Sequence, residues 1–147
     1  MVTFLRAYFA GCLISLLLAS NCYGDIAVIV SHDSPLNSAT PQEISALFLA
    51  KTNRLTGIYL KPIDMLNGDE LRDIFYRVVT KKSPMQMKAY WSRLIFTGKG
   101  IPPTNVESAE DVIDIVAEEP SHIGYVNANE IIDRVKVLLT VSILVAD

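Results

Sequence analysis

Asn67, Gly68, Asp69, Glu70 and Arg72 stand together in one stretch, LKPIDMLNGDELRDIF over 60–75, whose order of residue types suits a small anion. An apolar run ends at Met65, an Asn-Gly pair makes a tight turn, and an amphipathic helical pattern follows at once. The first N–H groups of a helix have no partner inside it, and the helix dipole adds partial positive charge there. Anions bind at such ends. Arg72, one turn into the helix, can reach back with a planar fork of donors, or pair with Asp69 three residues earlier on the helix surface. Ser31, at the end of another apolar run, offers a hydroxyl as a further side-chain partner. Asp69 and Glu70 suit a helix start but repel an anion, so the stretch holds both the site and the charge that opposes it.

Other chemistries find weaker support. His32 and His122 are the only histidines and stand in no metal-ligand spacing. Cys12 and Cys22, the only cysteines, fall in the N-terminal apolar segment, so the remainder offers no thiolate for catalysis or zinc. Ser31-His32-Asp33 places three triad residue types in a row, but neighbours on an extended strand point to opposite faces, whereas a triad gathers distant residues. Phe96-Thr97-Gly98-Lys99-Gly100 has a lysine between glycines, but prolines follow where a phosphate loop needs a helix. Gly98 is better placed to end a helix in the left-handed conformation, with Lys99 complementing the negative helix end. Trp91, at helical spacing from Met87, Leu94 and Ile95, reads as core. The chain does not read as an enzyme, and no cofactor or metal is implied.

The elements that must position the anion site follow from periodicity. Asp25–Ser31 is a β-branched run of the kind buried on both faces of a sheet. Thr40-Pro41-Gln42-Glu43 is a capping box with proline in the first turn, which predicts a helix over 41–50. Ile58–Ile63 predicts the second strand and 67–80 the second helix. Ser83-Pro84-Met85-Gln86 caps a third helix ending by Gly98, and Ser108 caps a fourth stopped by Pro120. His122–Val126 is the third strand, and 135–145 contains a fourth. Strands alternating with helices predict an α/β domain with a mixed or parallel sheet flanked by helices.

Met1–Arg6 followed by the apolar run Ala7–Ala19 reads as a secretory signal peptide, with cleavage preferred after Gly24. The run is shorter than the roughly 20 residues that span a bilayer. Asn21 before Cys22 is a poor context for lipidation. The chain has 147 residues; setting 1–24 aside leaves 12 basic and 16 acidic residues, a net charge of −4. Residues 25–147 then suit one exported domain, periplasmic or secreted, with no membrane span in the mature form. Its charges are interspersed, without the basic stripe that a nucleic acid demands.

Three stretches together carry a resemblance. IAVIVSHDSPLNSATPQEISALFLAK resembles the strand, helix and "IFLGK" pattern of the phosphate-binding subunit of phosphate ABC transporters. LKPIDMLNGDELRDIF resembles its strand, phosphate loop and helix, and HIGYV over 122–126 resembles its GAIGYV strand. Order and spacing agree from about Ile26 to Leu139. The resemblance implies a type II periplasmic-binding-protein-like fold, here a single lobe, with backbone N–H groups of Asn67, Gly68, Asp69 and Glu70 around the ligand and Arg72 and Ser31 as side-chain partners. It implies a solute-binding role in phosphate or anion uptake. Aligned on Phe75, Met65 replaces the family's arginine, Asn67 its aspartate, and Asp69, Glu70 and Leu71 its serine, glycine and threonine; Ala50 replaces the glycine of "LGK". Both hydroxyl donors are thereby exchanged, and carboxylates, which only accept, enter the loop. The alternative is a lobe that has lost its ligand and binds a transporter, another protein or a second copy of itself.

Overall fold

β1 (Ile26–Ser31) is buried along its whole length, as its β-branched composition requires of a strand covered on both faces. It belongs to the computed structural model of residues 24–143, so the expected signal peptide lies outside the described residues apart from Gly24. The chain then forms α1 (Pro41–Phe48), a hairpin of β2 (Arg54–Leu55) and β3 (Ile58–Tyr59), and β4 (Lys61–Met65). There follow α2 (Glu70–Thr80), α3 (Pro84–Phe96), β5 (Thr104–Val106), α4 (Ala109–Glu118), β6 (His122–Asn127) and β7 (Val135–Val141).

Local chemistry sets the helix ends. Thr40 and Ser83 close the expected reciprocal capping boxes with Glu43 and Gln86. At the end of α3, Lys99 N–H donates to Leu94 C=O and Gly98 N–H to Ile95 C=O, with Gly98 at φ +65°. This is the paired Schellman arrangement that the glycine predicts. The same pair closes α1, where Lys51 donates to Ala46 and Ala50 to Leu47. There the left-handed position is held by Ala50, at φ 54°, a conformation that disfavours any residue with a Cβ.

The five-stranded sheet has the order β5-β4-β6-β1-β7. β4 runs parallel to β5 and β6, while β1 runs antiparallel to both β6 and β7, so the sheet is mixed. Two connections, β4 through α2 and α3 to β5 and β5 through α4 to β6, are the crossovers that parallel strands need. Alternation along β6 sends its residues to two layers. A Cβ at Gly124 would stand 2.5 Å from Val112 Cγ1, so the absent side chain is what lets α4 approach. Tyr125 faces the other way, stacked on Phe75 of α2 at 3.9 Å between ring centres, with Phe48 of α1 edge-on at 5.7 Å.

Candidate ligand-binding site

The loop after β4 leaves the sheet at the carboxyl end of its parallel strands, the end at which open α/β sheets hold ligands. Asp69 N–H donates to Leu66 C=O at 3.1 Å, which makes Leu66–Asp69 a β-turn. Gly68 takes φ +88° as its third residue, a value glycine adopts without strain. The turn delivers Asp69 to the N-cap of α2, where its carboxylate accepts from Arg72 N–H at 3.0 Å. One of the orphan donors that would have faced an anion is thus already satisfied from within the chain.

Arg72 does not pair through its side chain with Asp69, one of the two routes expected from sequence. Its side chain turns inward, 7 % exposed, and its Nε donates to Asp64 Oδ2 at 3.1 Å; Asp69 receives only its backbone N–H. Asp64, a carboxylate in the middle of β4, is the hub of a buried cluster. It also accepts from Tyr76 OH at 2.7 Å and from Tyr125 OH at 2.5 Å. The N–H of Met65 completes its set at 2.8 Å. Burial and the adjacent carboxylate hold the Tyr76 and Tyr125 phenols well above their ordinary pKa. Burial opposes the charge on Arg72, but Asp64 together with Tyr76 and Tyr125 more than offsets it and the pKa is raised. The centre of the Tyr76 ring lies 4.9 Å from the guanidinium carbon of Arg72, a cation–π contact.

Outside this cluster, Asn67, Gly68 and Arg72 line one cavity of about 620 Å³ between the start of α2 and α3. Its other wall is the face of α3 that carries Met85, Lys88, Trp91, Ser92 and Ile95, at helical spacing. Asp73 of α2 supplies the carboxylate of the cavity lining, and Asp69 and Glu70 are not part of it. Lys88 is exposed and forms no ion pair among the described residues. The bond from Arg72 to Asp64 uses Nε, so its terminal nitrogens are left for another acceptor.

Ser31 does not join this group. The pairing of Val30 with Ile123 and of Lys61 with His122 sets Ser31 level with the start of β4. The loop lies beyond the other end of that strand, four residue steps or roughly 13 Å away at the usual strand rise. Ser31 instead accepts from Asp33 N–H and donates to Ala117 C=O, tying the end of β1 to α4. It was expected at the site because a strand-end hydroxyl was visible in the sequence and the direction of β1 was not. Asp64, Lys88 and the cavity role of Trp91 were missed. The one available signal was an aspartate between apolar Ile63 and Met65 in a buried strand, which requires buried donors elsewhere.

The described residues thus form a mixed sheet flanked by helices, with a cavity of ligand size at the carboxyl end of its parallel strands. No family model matches the sequence, and no curated protein matches it. Solved structures that share the fold include a Clostridium perfringens structure described as a phosphate ABC transporter substrate-binding protein with bound phosphate (17 % identity, TM-score 0.62, 78 % of this chain and 44 % of that one). An ABC-type phosphate transport receptor from Vibrio cholerae matches at 11 % identity and TM-score 0.62, over 78 % of this chain and 45 % of that one. PstS from Borrelia burgdorferi matches at 13 % identity and TM-score 0.59, over 78 % and 46 %. The chain spans less than half the length of these structures, and its fold is that of a single periplasmic-binding-protein-like lobe. No helix among the described residues is long and apolar enough to cross a membrane.

Proposed function

We propose that this chain is an exported solute-binding lobe that takes a small anion, phosphate being the first to test, where α2 begins. The observation that carries this reading is the convergence of Asn67, Gly68 and Arg72 on one cavity, with Lys88 opposite. The bound phosphate in the Clostridium perfringens structure of the same fold supports it. The N–H groups of Asn67 and Gly68 and the cations Arg72 and Lys88 are the donors in this reading, the Asp69 N–H being taken by Leu66 C=O. Ser31 is not among them. The N-cap carboxylate of Asp69 competes with an incoming anion for the same helix end. Asp69→Ser keeps a good cap while removing the charge.

Millimolar phosphate is expected to raise the melting temperature of the protein lacking residues 1–24, by RT ln(1 + [L]/Kd) in free energy. Asp69→Ser is expected to bind more tightly than wild type. Absence of a shift in both proteins overturns the reading.

A second reading rests on a different observation. Along α3 and the loop after it, Met85, Ile95, Phe96 and Ile101 are 81 %, 57 %, 92 % and 86 % exposed. Large exposed apolar groups in such number mark interaction surfaces. They support a lobe that binds a transporter component, another protein or a second copy of itself. Sedimentation of wild type against Phe96→Asp tests self-association; a concentration-independent monomer in both removes that version. Export to the periplasm or beyond, with cleavage after Gly24, completes the proposal, and the N-terminal residue of secreted protein would decide it.

A further inference from the structure

The cavity between α2 and α3 is too large and too apolar for phosphate alone. At about 620 Å³ it falls in the range of pockets that hold organic molecules, roughly 300–1,000 Å³. A tetrahedral oxyanion against the Asn67-Gly68 turn would leave most of it empty. Met85, Trp91, Ile95 and Pro84 make up much of the wall. Trp91 is 8 % exposed, and its Nε1 is shielded from water with no hydrogen-bond acceptor among the described residues.

The charges narrow the class further. Lys88 has no ion-pair partner among the described residues, whereas the charge of Arg72 is largely balanced by Asp64. Asp73 of α2 adds a negative group to the lining. A lining this close to neutral opposes the second negative charge that a phosphate monoester approaches near neutral pH more than it opposes a first.

We propose that this cavity binds an organic monoanion with an apolar body, its carboxylate between Lys88 and the Asn67-Gly68 turn and its body against Trp91, Met85 and Ile95. This deepens the anion-binding reading and rests on it for the location of the charged end.

The test is calorimetric titration of the protein lacking residues 1–24 with hexanoate, 4-methylpentanoate and 3-phenylpropanoate, with 3-phenylpropanamide and inorganic phosphate alongside. Trp91 is the chain's single tryptophan, so its fluorescence reports occupancy of this wall directly. At least one carboxylate is expected to bind tenfold or more tightly than both the amide and phosphate, with a change in Trp91 emission. Lys88→Ala is expected to lower its affinity about tenfold with the melting temperature unchanged. Phosphate binding without carboxylate binding overturns this inference and leaves the anion-binding reading in place. Equal binding of amide and carboxylate overturns the assignment of the charged end. Binding without any change in Trp91 emission overturns the location, and no binding by any anion overturns both.

Discussion

The two sides of Arg72 differ in how their polar groups are used. On the inner side, Asp64 accepts from the Arg72 Nε, two phenols and a backbone N–H, all shielded from water. On the outer side, Lys88, the Asn67-Gly68 turn and the Trp91 side chain line an open cavity, and Lys88 forms no ion pair among the described residues. The inner arrangement is complete without a ligand and the outer one is not. Removing a member of the first therefore costs stability, and removing a member of the second costs binding.

Asp64→Ala is the strongest way to break this contrast. It strands a buried guanidinium and two buried phenols, and a loss of about 3–5 kcal/mol is expected in urea unfolding, as for other buried pairs broken on one side. A loss under about 1 kcal/mol would mean that water enters the cluster and that the inner side is not closed. Tyr125→Phe keeps the ring stacked on Phe75 and deletes one donor to Asp64. Its expected cost is about 1–3 kcal/mol, by the same denaturation measurement.

The phenols also give the inner side a signature in pH. Tyr76 and Tyr125 ionise in the folded protein only well above 10.0, because burial and Asp64 oppose the phenolate. Their contribution to stability is complete below the unfolded pKa of about 10 and is lost as pH rises from there toward the folded values. Absorbance at alkaline pH should show these two phenolates appearing together with unfolding; ionisation of both in the native protein would contradict the closed cluster. Lys88→Ala, on the outer side, should change stability by no more than about 0.5 kcal/mol. The smallest effect calibrates the rest: Ala50→Gly relieves a left-handed alanine remote from both sides and should stabilise by roughly 0.5–1 kcal/mol, read as a small rise in melting temperature.

Much of the architecture was legible because it is written in local chemistry. Capping residues at Thr40, Ser83 and Ser108 and the glycine after α3 marked helix ends, and a β-branched run marked β1. Strand direction was not legible, since alternation and apolar runs are the same in either sense, and that is why Ser31 was placed at the wrong end of the sheet. β5 carries no signal in the sequence because Thr104–Val106 is short and follows two prolines; it is an edge strand anchored by pairing with β4. Of the site, the turn and its chain neighbours were visible, but the partner of Arg72 was not. Helix-surface spacing pointed to Asp69, while the buried carboxylate eight residues back offered a less screened attraction.

The pairing of Ile26 with Val141 has a consequence for how this lobe can be handled. The strand by which the described fold begins and the strand by which it ends emerge at one spot on the sheet. A short linker could join them into a ring, and the chain could be reopened at the exposed segment after α3 without cutting the sheet, giving a circular permutant. The same closeness makes the unit a cassette: both junctions fit into one surface loop of a host protein, so it could be inserted or excised while the host's own two ends stay as far apart as before.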